Sequence, residues 1–112
     1  MHSESTFSAE LHTRGANAVL DVRGEIDGST IELLQTAALK AMAMHDSLIL
    51  RMRDVTFIDS AGLRSLIVLK RSSDRDAKPL VLQQPSRVVV RLLELTALDS
   101  HFTISNDEPT MD

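Results

Sequence analysis

Apolar residues recur along this chain at two alternating spacings. Ala18, Leu20 and Val22 stand at every second position with Val19, Asp21 and Arg23 between them, and a period of two marks a half-buried strand. "GAN" at Gly15 to Asn17 is a turn signal before it, so Phe7 to Thr13 reads as the other arm of a hairpin. From Asp27 the spacing lengthens. Ile31, Leu34, Ala38 and Ala41 recur at three and four, which predicts an amphipathic helix to about Met44, with Asp27 or Ser29 as N-cap and Glu32 in the first turn. "SLILRMRDV" returns to alternation, with Leu48, Leu50 and Met52 opposite Ile49, Arg51 and Arg53. Leu63, Leu66, Ile67 and Lys70 make Ser60 to Arg71 a helix, and "SSDRDAKP" follows as a charged loop closed by Pro79. "LVLQQ" is a short strand, "PSRVVVRLLEL" a helix with Ser86 as cap, and "HFTIS" a last strand.

The predicted order is β-β-α-β-α-β-α-β. Helix-linked strands favour parallel neighbours and the opening hairpin an antiparallel edge. Because the strands alternate rather than being apolar throughout, helices are expected mainly on one face of a mixed β-sheet. The fold class is α/β. With 112 residues there is one domain, expected over residues 7–104, with a flexible start at 1–6 and a disordered acidic tail at 105–112.

Composition narrows the function. The hydrophobic fraction of 43% supports a packed core, but with only three aromatics, Phe7, Phe57 and Phe102, Leu, Ile, Val, Met and Ala must build it. A net charge of −4 with so few stacking residues argues against a nucleic-acid surface. Cysteine is absent, which excludes disulfides, thiolate nucleophiles and sulfur-ligated zinc and is compatible with a reducing cytoplasm. Apolar stretches fall well short of the roughly 18 residues that span a bilayer, and "MHSESTFSAEL" has no signal-peptide pattern. A soluble, cytoplasmic protein without a membrane partner is expected.

The usual catalytic signals are missing. His2, His12, His45 and His101 lie far apart with no HExxH spacing, and the four glycines form neither a phosphate loop nor GxGxxG. No metal and no cofactor is expected. Lys70, Arg71, Arg75 and Lys78 are interrupted by Asp74 and Asp76, the mark of a solvated helix end. A serine hydrolase would need a histidine carried to its nucleophile across the sheet, His45 or His101 being candidates.

The stretch "DVTFIDSAGLRSL" holds the strongest signal. The strand runs directly into a helix whose first N–H groups have no internal partners, and Asp59 or Ser60 can cap them. On local chemistry alone Ser60 reads as that cap. Yet Ala61 and Gly62 add no bulk beside it, so a partner protein can approach the hydroxyl, and a helix N-terminus tolerates a phosphate placed there.

"GEID" at Gly24 to Asp27, "DVTFIDSAGL" at Asp54 to Leu63 and the strand-helix order from about Phe7 to Ile104 resemble the STAS domain family, and within it the stand-alone bacterial anti-sigma factor antagonists. The resemblance implies partner switching. The unphosphorylated antagonist binds a serine-kinase anti-sigma factor and frees a sigma factor, the kinase phosphorylates the motif serine and releases the antagonist, and a PP2C-like phosphatase restores it. On this resemblance Ser60 is the phosphoacceptor, Asp59 the acidic residue before it, Asp27 the aspartate closing the first strand-to-helix turn near the partner surface, and Gly62 the small position that keeps the loop tight. Ala61 stands where many such antagonists carry a second small polar residue. Arg64, one helical turn after Ser60, offers a phosphate a charged neighbour. A STAS subunit of another assembly, such as a lipid-transport complex or a stressosome, is the alternative within the family. The expected protein is a switch and not an enzyme.

Overall fold

A two-residue loop, Gly15 and Ala16, folds the first two strands onto each other, with Gly15 at φ +61° as a Gly-first hairpin turn requires. In the computed structural model, which describes residues 7–107, those strands are β1 (Ser8–Arg14) and β2 (Asn17–Ile26), followed by α1 (Ile31–Met44), β3 (Ser47–Ile58), α2 (Ser60–Asp76), β4 (Leu80–Gln83), α3 (Arg87–Leu95), a turn of 3-10 helix (Asp99–His101) and β5 (Thr103–Ser105). The sheet order is β1-β2-β3-β4-β5, with β1 antiparallel to β2 and every later pair parallel.

Parallel register aligns the apolar positions into rows. Ala18, Leu48 and Leu80 form one and Leu20, Leu50 and Leu82 the next. Leu34 and Ala38 of α1, Leu66 and Leu69 of α2, and Val89 and Leu93 of α3 pack into the same buried cluster as these rows, so the three helices share one face of the sheet. Each fully buried leucine contributes about 1.5–3 kcal/mol, and this shared core, more than helix propensity, holds the short α3 in place. Lys78, from the α2–β4 connection, donates to the Met42 carbonyl at 2.7 Å and so places a cation on the C-terminal end of α1, whose own last turn has no basic residue.

The structure departs from the sequence pattern in four places. The "SSDRD" segment is helical to Asp76, because Ser72 and Ser73 are buried against the fold and Lys70 pairs with Asp74 at 2.7 Å one turn on. Strand β2 is buried on both faces over residues 18–22. Asp21, expected on an open face, is only 4% exposed, with its Oδ2 3.3 Å from Arg23 and 3.8 Å from Arg51. The last strand is short, and its final residue Ser105, the first position assigned to the acidic tail, pairs with Gln83. Residues 1–6 and 108–112, the remainder of the expected flexible ends apart from Asn106 and Asp107, lie outside the described residues.

Candidate functional site

The C-terminal ends of β2 and β3 lie side by side, with Ile26 opposite Ile58. Two register shifts in this pair, between Asp21 and Arg23 and between Gly24 and Glu25, let β3 run to that end with more residues than β2. The result sets the turn after β2 against the start of α2. The Asp59 N–H donates to the Ile26 carbonyl at 3.3 Å, so the two segments named by the sequence, around Asp27 and around Ser60, are joined by a main-chain hydrogen bond.

Asp59, and not Ser60, is the N-cap of α2. Its backbone is extended (φ −115°, ψ −169°) and its Oδ1 accepts from the Gly62 N–H at 3.0 Å, while its carbonyl accepts from the Leu63 N–H at 2.9 Å. Ser60 is therefore the first helical residue. It is exposed, and its hydroxyl makes no hydrogen bond among the described residues. The reading of Ser60 as a mere cap is corrected by this geometry.

Gly62 is buried, and the reason is steric. A Cβ there would lie 2.7 Å from Ile58 Cγ1, 2.9 Å from Ile26 Cγ2 and 2.9 Å from the Ile26 carbonyl oxygen. Only glycine lets the helix start this close to β2. Ala61 is half-buried beside it, and Arg64 stands exposed one turn after Ser60 with no ion pair among the described residues.

Asp27 does not cap α1. The N-cap position belongs to Thr30, whose Oγ1 accepts from the Asp27 N–H at 3.0 Å and donates to the Glu25 carbonyl at 2.8 Å, while Asp27 uses its Oδ1 to accept from both the N–H (2.9 Å) and the hydroxyl (2.7 Å) of Ser29. The bond from the Ser29 hydroxyl, followed by that from its N–H, holds the Asp27 carboxyl below its ordinary value. Asp27 is thus an ionised group fixed in an otherwise exposed turn.

Three residues beside this site were not singled out by pattern. Ile26 supplies both the carbonyl that holds Asp59 and the methyl that fixes Gly62, and Thr30 ties the Asp27 turn to β2. Phe57, one of only three phenylalanines in the chain, is 46% exposed three residues before Ser60. It pairs with Glu25 across the β2–β3 ladder, and the only sequence signal for it is a rare aromatic just before the Asp59-Ser60 stretch. Among the described residues the histidines do not gather here. His45 Nδ1 is 2.8 Å from the Ala41 carbonyl at the far end of α1, and neither it nor His12 or His101 is bonded to Ser60.

A family model described as "STAS domain" matches residues 8–111. The crystal structure of an anti-sigma factor antagonist from Mycobacterium paratuberculosis superposes with a TM-score of 0.83 at 21% identity, covering 96% of this chain and 92% of that one. The anti-sigma factor antagonist SpoIIAA in its unphosphorylated form gives 0.71 at 21% identity, with 91% and 90% covered. The phosphorylated form of SpoIIAA from Bacillus gives 0.68 at 20% identity, with 91% and 93% covered. These likenesses show a shared fold.

Proposed function

The chain belongs to the STAS domain family, and from that membership we propose that it is an anti-sigma factor antagonist that switches partners through phosphorylation of Ser60. The observation that carries the reading is the division of labour at the start of α2. Asp59 does the capping, which leaves the Ser60 hydroxyl exposed and without a structural task. SpoIIAA, which shares the fold, has been solved both without and with phosphate.

On this reading the unphosphorylated protein offers Asp27, Asp59, Ser60, Ala61, Gly62 and Arg64 to a serine-kinase anti-sigma factor, and a PP2C-like phosphatase reverses the modification. The chain acts as a binding switch and not as an enzyme. A phosphate brings about −1.5 to −2 charges and three acceptor oxygens into a close contact. A penalty of roughly 3 kcal/mol there lowers affinity about a hundredfold. Arg64 opposes part of this by neutralising the phosphate, so release is more complete in an Arg64→Ala variant.

The test is affinity capture of the kinase with Ser60→Ala bait, then incubation of wild-type protein with that kinase and ATP, mass spectrometry to place the phosphate, and affinity measurement of both forms. One phosphate on Ser60 and a loss of affinity of about a hundredfold are expected. Phosphate on exposed Thr56 instead, or equal affinity of the two forms, would overturn the switch and favour a STAS subunit of another assembly in which Ser60 is not modified.

A further inference from the structure

The exposed side of α2 carries a second feature, about three turns beyond Ser60. A half-open cavity of about 340 Å³ lies between this helix and the segment that follows α3. Its apolar wall is Ile67 from the helix and Leu98 and Phe102 from the segment, with Phe102 buried in the core cluster behind. Its rim is formed by Lys70, Arg71 and His101, with one acid, Asp74.

The charges at the rim are not equivalent. Lys70 Nζ donates to both carboxylate oxygens of Asp74, at 2.7 and 2.8 Å, so those two charges cancel. Arg71 has neither an ion pair nor a side-chain hydrogen bond among the described residues, and the His101 ring likewise has no partner among them. An unpaired guanidinium beside an apolar wall is a fork for a carboxylate whose hydrocarbon part leaves water. At about 30 Å³ per water-sized volume the space takes a molecule of roughly ten non-hydrogen atoms. We propose that this cavity binds a small apolar monocarboxylate, with the acid on Arg71 and the hydrocarbon against Ile67, Leu98 and Phe102. Arg71 lies roughly 16 Å from Ser60 along the helix axis, although Ile67 stands within one turn of Arg64, and this inference does not depend on the partner-switching reading.

The experiment is heteronuclear NMR titration of the full chain with octanoate, with octanamide and inorganic phosphate as controls. Octanoate is expected to shift the amides of Ile67, Arg71, Leu98 and Phe102 saturably, with octanamide and phosphate each at least about tenfold weaker. Arg71→Gln should weaken octanoate by a similar factor without lowering the melting temperature, and Ile67→Ser should weaken it through the apolar wall. Octanamide or phosphate binding as tightly as octanoate, an unchanged affinity in Arg71→Gln, or shifts confined to other parts of the chain would each overturn the proposal.

Discussion

Replacing Gly62 with alanine tests whether the start of α2 is set by close packing, because the two physical effects of the change have opposite signs. In an unobstructed helix the substitution stabilises, by up to about 1 kcal/mol of propensity. Here the new methyl carbon would stand 2.7 Å from Ile58 Cγ1 and 2.9 Å from both Ile26 Cγ2 and the Ile26 carbonyl oxygen. The isoleucine side chains can turn by a few tenths of an ångström, but the carbonyl is main chain, paired across to β3 and bonded to the Asp59 N–H. Overpacking of this kind costs about 1–3 kcal/mol, and a backbone obstacle puts it in the upper part of that range. The expected net loss is about 1–2 kcal/mol. For a domain of this size that lowers the melting temperature by about 4–9 °C, read by circular dichroism at fixed pH and salt. Gly28→Ala is the control, since nothing lies within 4 Å of a Cβ built there, and it should fall within about 0.5 kcal/mol of wild type. A Gly62→Ala protein that melts at or above the wild-type temperature would refute the packing argument.

Two further outcomes follow from the hydrogen bonds around the site. Asp59→Ala should cost about 0.5–2 kcal/mol through loss of the cap, whereas Ser60→Ala should stay within about 0.5 kcal/mol; urea denaturation giving the reverse order would return the capping role to Ser60. Asp27, with its folded pKa depressed, contributes stability that is present above its unfolded value of about 3.9 and lost as pH falls through the lower folded value. Ser29→Ala removes the largest cause and should move the Asp27 titration upward, as followed by carboxyl-carbon NMR; an unmoved titration would show that the Ser29 hydroxyl does not set it.

The strand and helix order was legible because each element carries its core residues at one clear period. Leu48, Leu50 and Met52 alternate and are all buried, and Leu63 and Leu66 recur at helical spacing and are buried too. What was not legible depends on neighbours distant in the chain. Asp21 falls on the polar phase of β2, yet that strand is flanked by β1 and β3, and Arg51 from β3 lies 3.8 Å from its carboxylate. Ser72 to Asp76 has the composition of a loop, and only tertiary burial of two serines makes it the last turn of a helix. At the start of α2, local chemistry read Ser60 as the cap although Asp59 could serve as well. The extended backbone at Asp59, fixed by its bond to Ile26, decides between them.

That same fixation bears on how a phosphate on Ser60 would act. Asp59 is held at three points, by its N–H to Ile26, its carbonyl to Leu63 and its carboxylate to Gly62, and Gly62 is wedged between two isoleucines. The donors left in the first turn are the N–H groups of Ser60 and Ala61, since a phosphate reaching for the Gly62 N–H would have to displace Asp59. These contacts oppose a rearrangement of the loop, and a modification shifts an equilibrium only by its differential interaction with two states. On the proposed reading the two states that matter are then bound and free, with the fold the same in both. On the proposed reading the phosphate works at the contact itself, adding charge next to the carboxylates of Asp59 and Asp27, and the signature is a changed dissociation rate with an unchanged chemical-shift pattern in the core around Leu50 and Leu82.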